Sequence, residues 1–121
     1  MIAAAILLAA AAADPISGTW KGTSLCQVKP SPCHDEHVVY RVTRTAPQRY
    51  KLDAYKIVGG KELFMGSIDL TFDRAGNALD GTITGNRGAS RVRLTLKTNH
   101  LSGRLTLGDG SLYRLIEVDK R

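Results

Sequence analysis

Alternation constrains this chain more than any other feature. From Trp20 to Val118, apolar and polar side chains change places residue by residue in short runs, and each run stops at a cluster of Gly, Pro, Asn or Asp. Successive side chains on a strand point to opposite sides, so a period of two marks a strand with one buried face. The first runs are Trp20 to Cys26; His37 to Thr45, with Val38, Tyr40 and Val42 on one face; and Arg49 to Val58, where Tyr50, Leu52 and Ala54 share a face. Leu63 to Phe72 follows, with Ile68, Leu70 and Phe72 opposed to Asp69, Thr71 and Asp73. Leu79, Gly81 and Ile83, then Val92, Leu94 and Leu96, then Leu101, Gly103, Leu105 and Leu107 repeat the pattern, and Leu112 to Val118 completes eight strands. The breaks are turn sequences: Ala46-Pro47-Gln48, Gly59-Gly60, Asp73 to Asn77 with Gly76 expected at positive φ, Thr98-Asn99-His100 and Gly108-Asp109-Gly110.

Short connections make sequential strands pair antiparallel, and the chain of 121 residues has room for one core. The predicted fold is therefore all-β: an eight-stranded antiparallel up-and-down meander that closes into a small barrel, which also removes the exposed edges. A two-sheet sandwich is the alternative, but hairpin after hairpin without a long crossover does not read as a Greek key.

Residues 1–13 hold an uncharged run of Ile, Leu and Ala ending in Ala11-Ala12-Ala13, followed by Asp14-Pro15. The run is too short for the roughly 20 residues that cross a bilayer and ends in small residues, as a secretory signal does, although no Lys or Arg precedes it. Residues 14–121 are then the single barrel domain, exported to a periplasm or secreted, and not membrane-spanning. An alanine-rich N-terminal helix on a cytoplasmic protein is the competing reading. In an exported chain the two cysteines, Cys26 and Cys33, point to a disulfide. His34 and His37 lie close enough to raise zinc as an alternative, yet the spacing matches no common zinc pattern. The net charge of +6 is scattered, and its nearest cluster, Arg87, Arg91, Arg93 and Lys97, lacks the interleaved aromatics of a nucleic-acid platform, so no nucleic-acid partner is expected. An anionic envelope surface suits that charge at least as well.

The only Trp of the chain sits in Gly18-Thr19-Trp20-Lys21-Gly22, on the first strand. A buried Trp contributes roughly 200 Å² at about 25 cal/mol per Å², enough to anchor a small core. Gly18 and Trp20 ahead of an eight-strand meander resemble the G-x-W of the calycin superfamily, which includes lipocalins, fatty-acid-binding proteins and avidins. The resemblance implies that an Arg from the last strand covers the Trp at the closed end of the barrel. Arg114 is the candidate, because it shares a face with Leu112, Ile116 and Val118. The chain is shorter than a lipocalin, has no helix after the barrel and lacks the second short motif, so a ligand chalice does not carry over automatically.

Nothing here reads as an enzyme: there is no G-x-S-x-G, no phosphate loop and no convincing paired carboxylate, and His34, His37 and His100 are the only histidines to offer acid–base chemistry. No catalytic residue and no cofactor are expected. His34-Asp35-Glu36-His37 reads as a solvated junction, its successive side chains diverging, with a metal, catalytic or ligand-gating role as the alternatives. The leading functional expectation is a monomeric barrel that takes a small apolar or amphipathic ligand inside. Its lining would be Tyr40, Val42, Tyr50, Leu52, Ile68, Leu70, Ile83, Leu94 and Leu105, with the tyrosine hydroxyls available to the guest. The alternative is a filled barrel that binds another protein, as small periplasmic barrels that inhibit metalloproteases do through an N-terminal arm; Asp14 to Ser17 is short for that task. Haem capture through His100 is a third, more remote reading.

Overall fold

The computed structural model describes residues 14–28, 32–85 and 88–121, and the expected signal at 1–13, together with Arg87, lies outside them. Eight strands follow in chain order: β1 (Gly18–Cys26), β2 (Glu36–Ala46), β3 (Arg49–Val58), β4 (Lys61–Asp73), β5 (Ala78–Gly85), β6 (Gly88–Lys97), β7 (His100–Thr106) and β8 (Leu112–Lys120). Each pairs antiparallel with the next, and β1 pairs with β8 to close the barrel. The sandwich is excluded.

The alternation decides what faces inward. Trp20, Val38, Leu52, Leu70, Leu79, Leu94, Leu101 and Val118 are fully buried in one core. Charged residues occupy the outer face: Arg91 forks onto Asp80 at 2.9 and 2.7 Å, and Arg93 bridges Asp80 and Asp73 at 2.7 and 3.0 Å. An apolar interior under a charged wall is the reverse of a transmembrane barrel, and no helix among the described residues is long and apolar enough to cross a membrane. Glycine permits the closure. A Cβ on Gly22 would lie 1.9 Å from the Glu117 carbonyl oxygen, so only glycine lets β1 approach β8 there. In the β4–β5 turn the positive φ belongs to Asn77, at 50°, and not to Gly76 as expected; Asn tolerates that conformation through its short polar side chain.

One end of the barrel is corked by the chain's own N-terminal segment. Ile16 is buried beneath Trp20, whose Nε1 donates to the Ile16 carbonyl at 2.9 Å. Asp14 accepts from the backbone N–H groups of Ile16 (2.9 Å) and Ser17 (3.2 Å) and from the Ser17 hydroxyl. The segment read as a possible arm toward a protease is therefore spent as a plug.

The cation over Trp20 is not Arg114. Antiparallel neighbours run head to tail, so the start of β1 lies beside the end of β8, and Trp20 pairs with Lys120. Lys120 Nζ stands 5.7 Å from the indole centroid and donates to the Pro15 carbonyl at 2.9 Å. Arg114 pairs with Cys26, at the other end of the barrel.

The seam between β4 and β5 is the shortest in the barrel, with pairing limited to Thr71↔Asp80, Phe72↔Leu79 and Asp73↔Ala78. Above it, β4 carries a bulge against β3: Ala54 pairs with Gly66 and Tyr55 with Phe64, leaving Met65 as the extra residue. Gly66, at φ 139°, supplies the backbone freedom the bulge uses.

Candidate functional site: the half-filled end of the barrel

Away from the cork the barrel is not full. Inward positions near the closed end hold Trp20, Tyr50, Leu70 and Leu101, whereas the corresponding positions toward the other end of β1, β3 and β4 hold Ser24, Ala54 and Gly66. The deficit in side-chain volume leaves a cavity of about 230 Å³. An apolar cavity of about 150 Å³ takes benzene, so this one has space for roughly ten non-hydrogen atoms.

Of the residues expected to line a ligand site, Tyr40, Leu52, Ile68, Ile83, Leu94 and Leu105 border this cavity. Val42, Tyr50 and Leu70 do not; they belong to the filled half, where the Tyr50 hydroxyl lies 3.5 Å from Asp14 Oδ1. Among the other bordering residues, Ser24, Glu36, Ala54, Met65 and Arg114 were not expected there. Ser24 was within reach of the sequence, because it shares parity with Trp20 on β1. Glu36 shares parity with Val38 and Tyr40, but β2 begins one residue earlier than the alternation suggested.

The polar residues converge on one wall. Arg114 Nη1 donates to the Ser24 carbonyl (3.1 Å), the Ser24 hydroxyl (3.2 Å) and the His34 carbonyl (3.0 Å), and lies 3.6 Å from Glu36 Oε1. Both side chains of that ion pair are mostly shielded, with exposures of 12% and 19%. Arg114 Nε and Nη2 have no hydrogen-bond partner among the described residues, which leaves donors for a guest. Burial first, and the nearby Glu36 carboxylate second, push the Tyr40 phenol up to about 12, against the pull of Arg114 and the Ser24 hydrogen bond. Tyr40 therefore stays a neutral donor at any physiological pH. The site offers neutral and charged hydrogen-bonding groups on one wall and mainly hydrocarbon on the others.

Cys26 and Cys33 form a disulfide, with Cα atoms 5.9 Å apart, so their sulfurs are not available to zinc. The bridge ties the described end of the β1–β2 loop, from Cys33 on, to the end of β1 beside the mouth. Asp35 Oδ1 accepts from the Cys26 N–H at 2.9 Å, and the Arg114 bond to His34 ties the same loop to β8. His34, Asp35, Glu36 and His37 thus rim the entrance. His100 does not enter the barrel: its ring sits on the outer wall, with Nδ1 2.7 Å from Asp119 Oδ1 and Nε2 2.8 Å from Glu117 Oε1. That position removes the basis for haem capture inside. No protein-family model and no curated protein matches the chain, and the closed eight-stranded barrel stands on the strand pairing alone.

Proposed function

We propose that this is an exported calycin-like barrel that binds a small amphipathic molecule in its half-filled end, and that it is a binding protein rather than an enzyme. The observation that carries this reading is the cavity of about 230 Å³ with a polar wall of Ser24, Glu36, Tyr40 and Arg114 facing Leu52, Ile68, Ile83 and Leu94. A guest would lay its chain or ring against the leucines and isoleucines and place its polar end against Arg114 and Tyr40. The kinship rests on the closed eight-stranded meander alone, since Lys120 and not Arg114 stands over Trp20, a departure from the pattern the resemblance implies. The disulfide suits an oxidising compartment and so supports export.

Calorimetric titration with octanol and octanoate tests the ligand reading. Saturable binding of at least one is expected, and Ala54→Leu, which fills the cavity from β3, is expected to abolish it while the circular dichroism spectrum stays that of the parent. A preference for octanoate that disappears in Arg114→Met would assign the head-group role to the guanidinium. Absence of saturable heat with both compounds, or binding untouched by Ala54→Leu, would overturn the reading.

A further inference from the structure

The β3–β4 hairpin carries an apolar surface that the cavity does not explain. Five large hydrophobic residues are exposed among the described residues, and four of them, Val58, Leu63, Phe64 and Met65, lie on this hairpin. Phe64 is 60% exposed and Met65 43%. Such a cluster at a turn marks a contact surface, since hydrophobic exposure on a soluble domain is ordinarily scattered.

The charges around it have one sign to offer. Glu62 is the only acid from Ile57 to Met65, and Arg41 grips both of its oxygens, at 2.7 and 3.1 Å. Lys61, at the turn, has no ion-pair partner among the described residues, and Lys21 adds positive potential on the same flank. The whole chain carries +6.

An added β-strand is disfavoured as the occupant, although the upper edge of β4 is unpaired toward β5. The Met65 bulge interrupts the run of hydrogen-bonding groups a pairing strand would need, and a lysine on the edge is itself a device against such pairing. A bilayer needs no regular edge. It needs apolar side chains at a protruding turn, cations beside them and no free acid.

We propose that the β3–β4 hairpin docks on anionic membrane surfaces, with Phe64, Leu63 and Val58 entering the interface and Lys61 meeting the lipid phosphates. The seam above the three β4–β5 pairs opens beside this hairpin, and Met65, Gly66 and Ile68 border the cavity there, so docking places one wall of the cavity against the lipid.

The test uses the full chain with vesicles of phosphatidylglycerol and phosphatidylcholine, and with phosphatidylcholine alone. Phe64→Trp puts a reporter on the hairpin, while Trp20, fully buried, stays silent. Lipids brominated on their acyl chains are expected to quench the new indole on anionic vesicles, and salt should reverse the effect. In sedimentation with vesicles, Leu63→Ser with Phe64→Ser is expected to weaken binding by about tenfold or more, and Lys61→Gln by about fivefold. Both variants should melt as the parent does. Ala54→Leu, which blocks the cavity, should leave docking intact, so failure of the ligand reading and failure of this one are separable. Absence of quenching, equal quenching on neutral vesicles, or concentration-dependent dimers that the double substitution dissolves would overturn the proposal, the last in favour of self-association.

Discussion

The two ends of this barrel are built from the same strands and do opposite things. At the closed end, Ile16, Trp20 and Leu101 fill the lumen, a backbone carbonyl satisfies the indole, and Lys120 covers it. At the other end the inward positions shrink to Ser24, Ala54 and Gly66, an ion pair replaces hydrocarbon, and a disulfide ties Cys33, on the approach to β2, to the end of β1. Stability is concentrated where packing is dense, and recognition becomes available where it is not. A small barrel can thus keep a cavity without extra length, provided one end is sealed well enough to hold the fold.

Truncating the same side chain at each end breaks or sharpens that contrast most strongly. Leu101→Ala, in the filled half, is expected to cost about 3 to 5 kcal/mol in urea denaturation, and Leu105→Ala, already bordering empty space, about 2 kcal/mol. Equal costs would mean the ends are packed alike. Cys33→Ser should cost about 2.5 kcal/mol by the loop-closure argument, and hydrogen exchange should locate the loosening at the β1–β2 loop and not at the cork. Lys120→Met should cost about 1 kcal/mol and change the near-ultraviolet signal of Trp20, whereas Arg114→Met should leave that signal alone.

The smallest expected effects are the pH-dependent ones, and both belong to the closed end, where they run in opposite directions. Burial pulls the Asp14 carboxyl upward, but the Ser17 hydroxyl and the backbone N–H groups of Ile16 and Ser17 hold it below the ordinary carboxylate value of 3.8. Its contribution to the cork is full above that value and is lost as pH falls through the lower pKa of the folded state. His100 moves the other way: Asp119 first and Glu117 second raise its imidazole above 6.5. The stability it adds is complete below 6.5 and fades as pH climbs through the raised value. Both are tested by NMR titration of the side chains, and a histidine pKa at or below 6.5 would mean the two carboxylates do not engage it in solution.

Parity was legible in the sequence, and register was not. Alternation assigned Val38, Tyr40, Leu52, Leu79, Leu94 and Leu101 to the interior, and all of them face it. The same parity puts Arg114 and Lys120 on one face of β8, and only the pairing of β1 with β8 shows which of them meets Trp20. Head-to-tail running of antiparallel neighbours contained the answer, since the start of the first strand must adjoin the end of the last. The cavity escaped for a different reason. Its walls depend on small residues stacking at one height on separate strands: Gly66 keeps the parity of Ile68 and Leu70 and so meets Ala54, and the Met65 bulge shifts the β4 parity only beyond that point. A local pattern does not carry a height. The cork escaped because Asp14 to Ser17 has no period at all; what fixes it is a set of hydrogen bonds to Asp14 and Trp20.

The pairing of Trp20 with Lys120 also sets a timetable. The earliest strand to leave the ribosome finds its second neighbour only when the final residues appear, so the last ladder to form is the one with the longest sequence separation, and such contacts form slowly. Until then the nascent chain is an open curl with a free margin at each side.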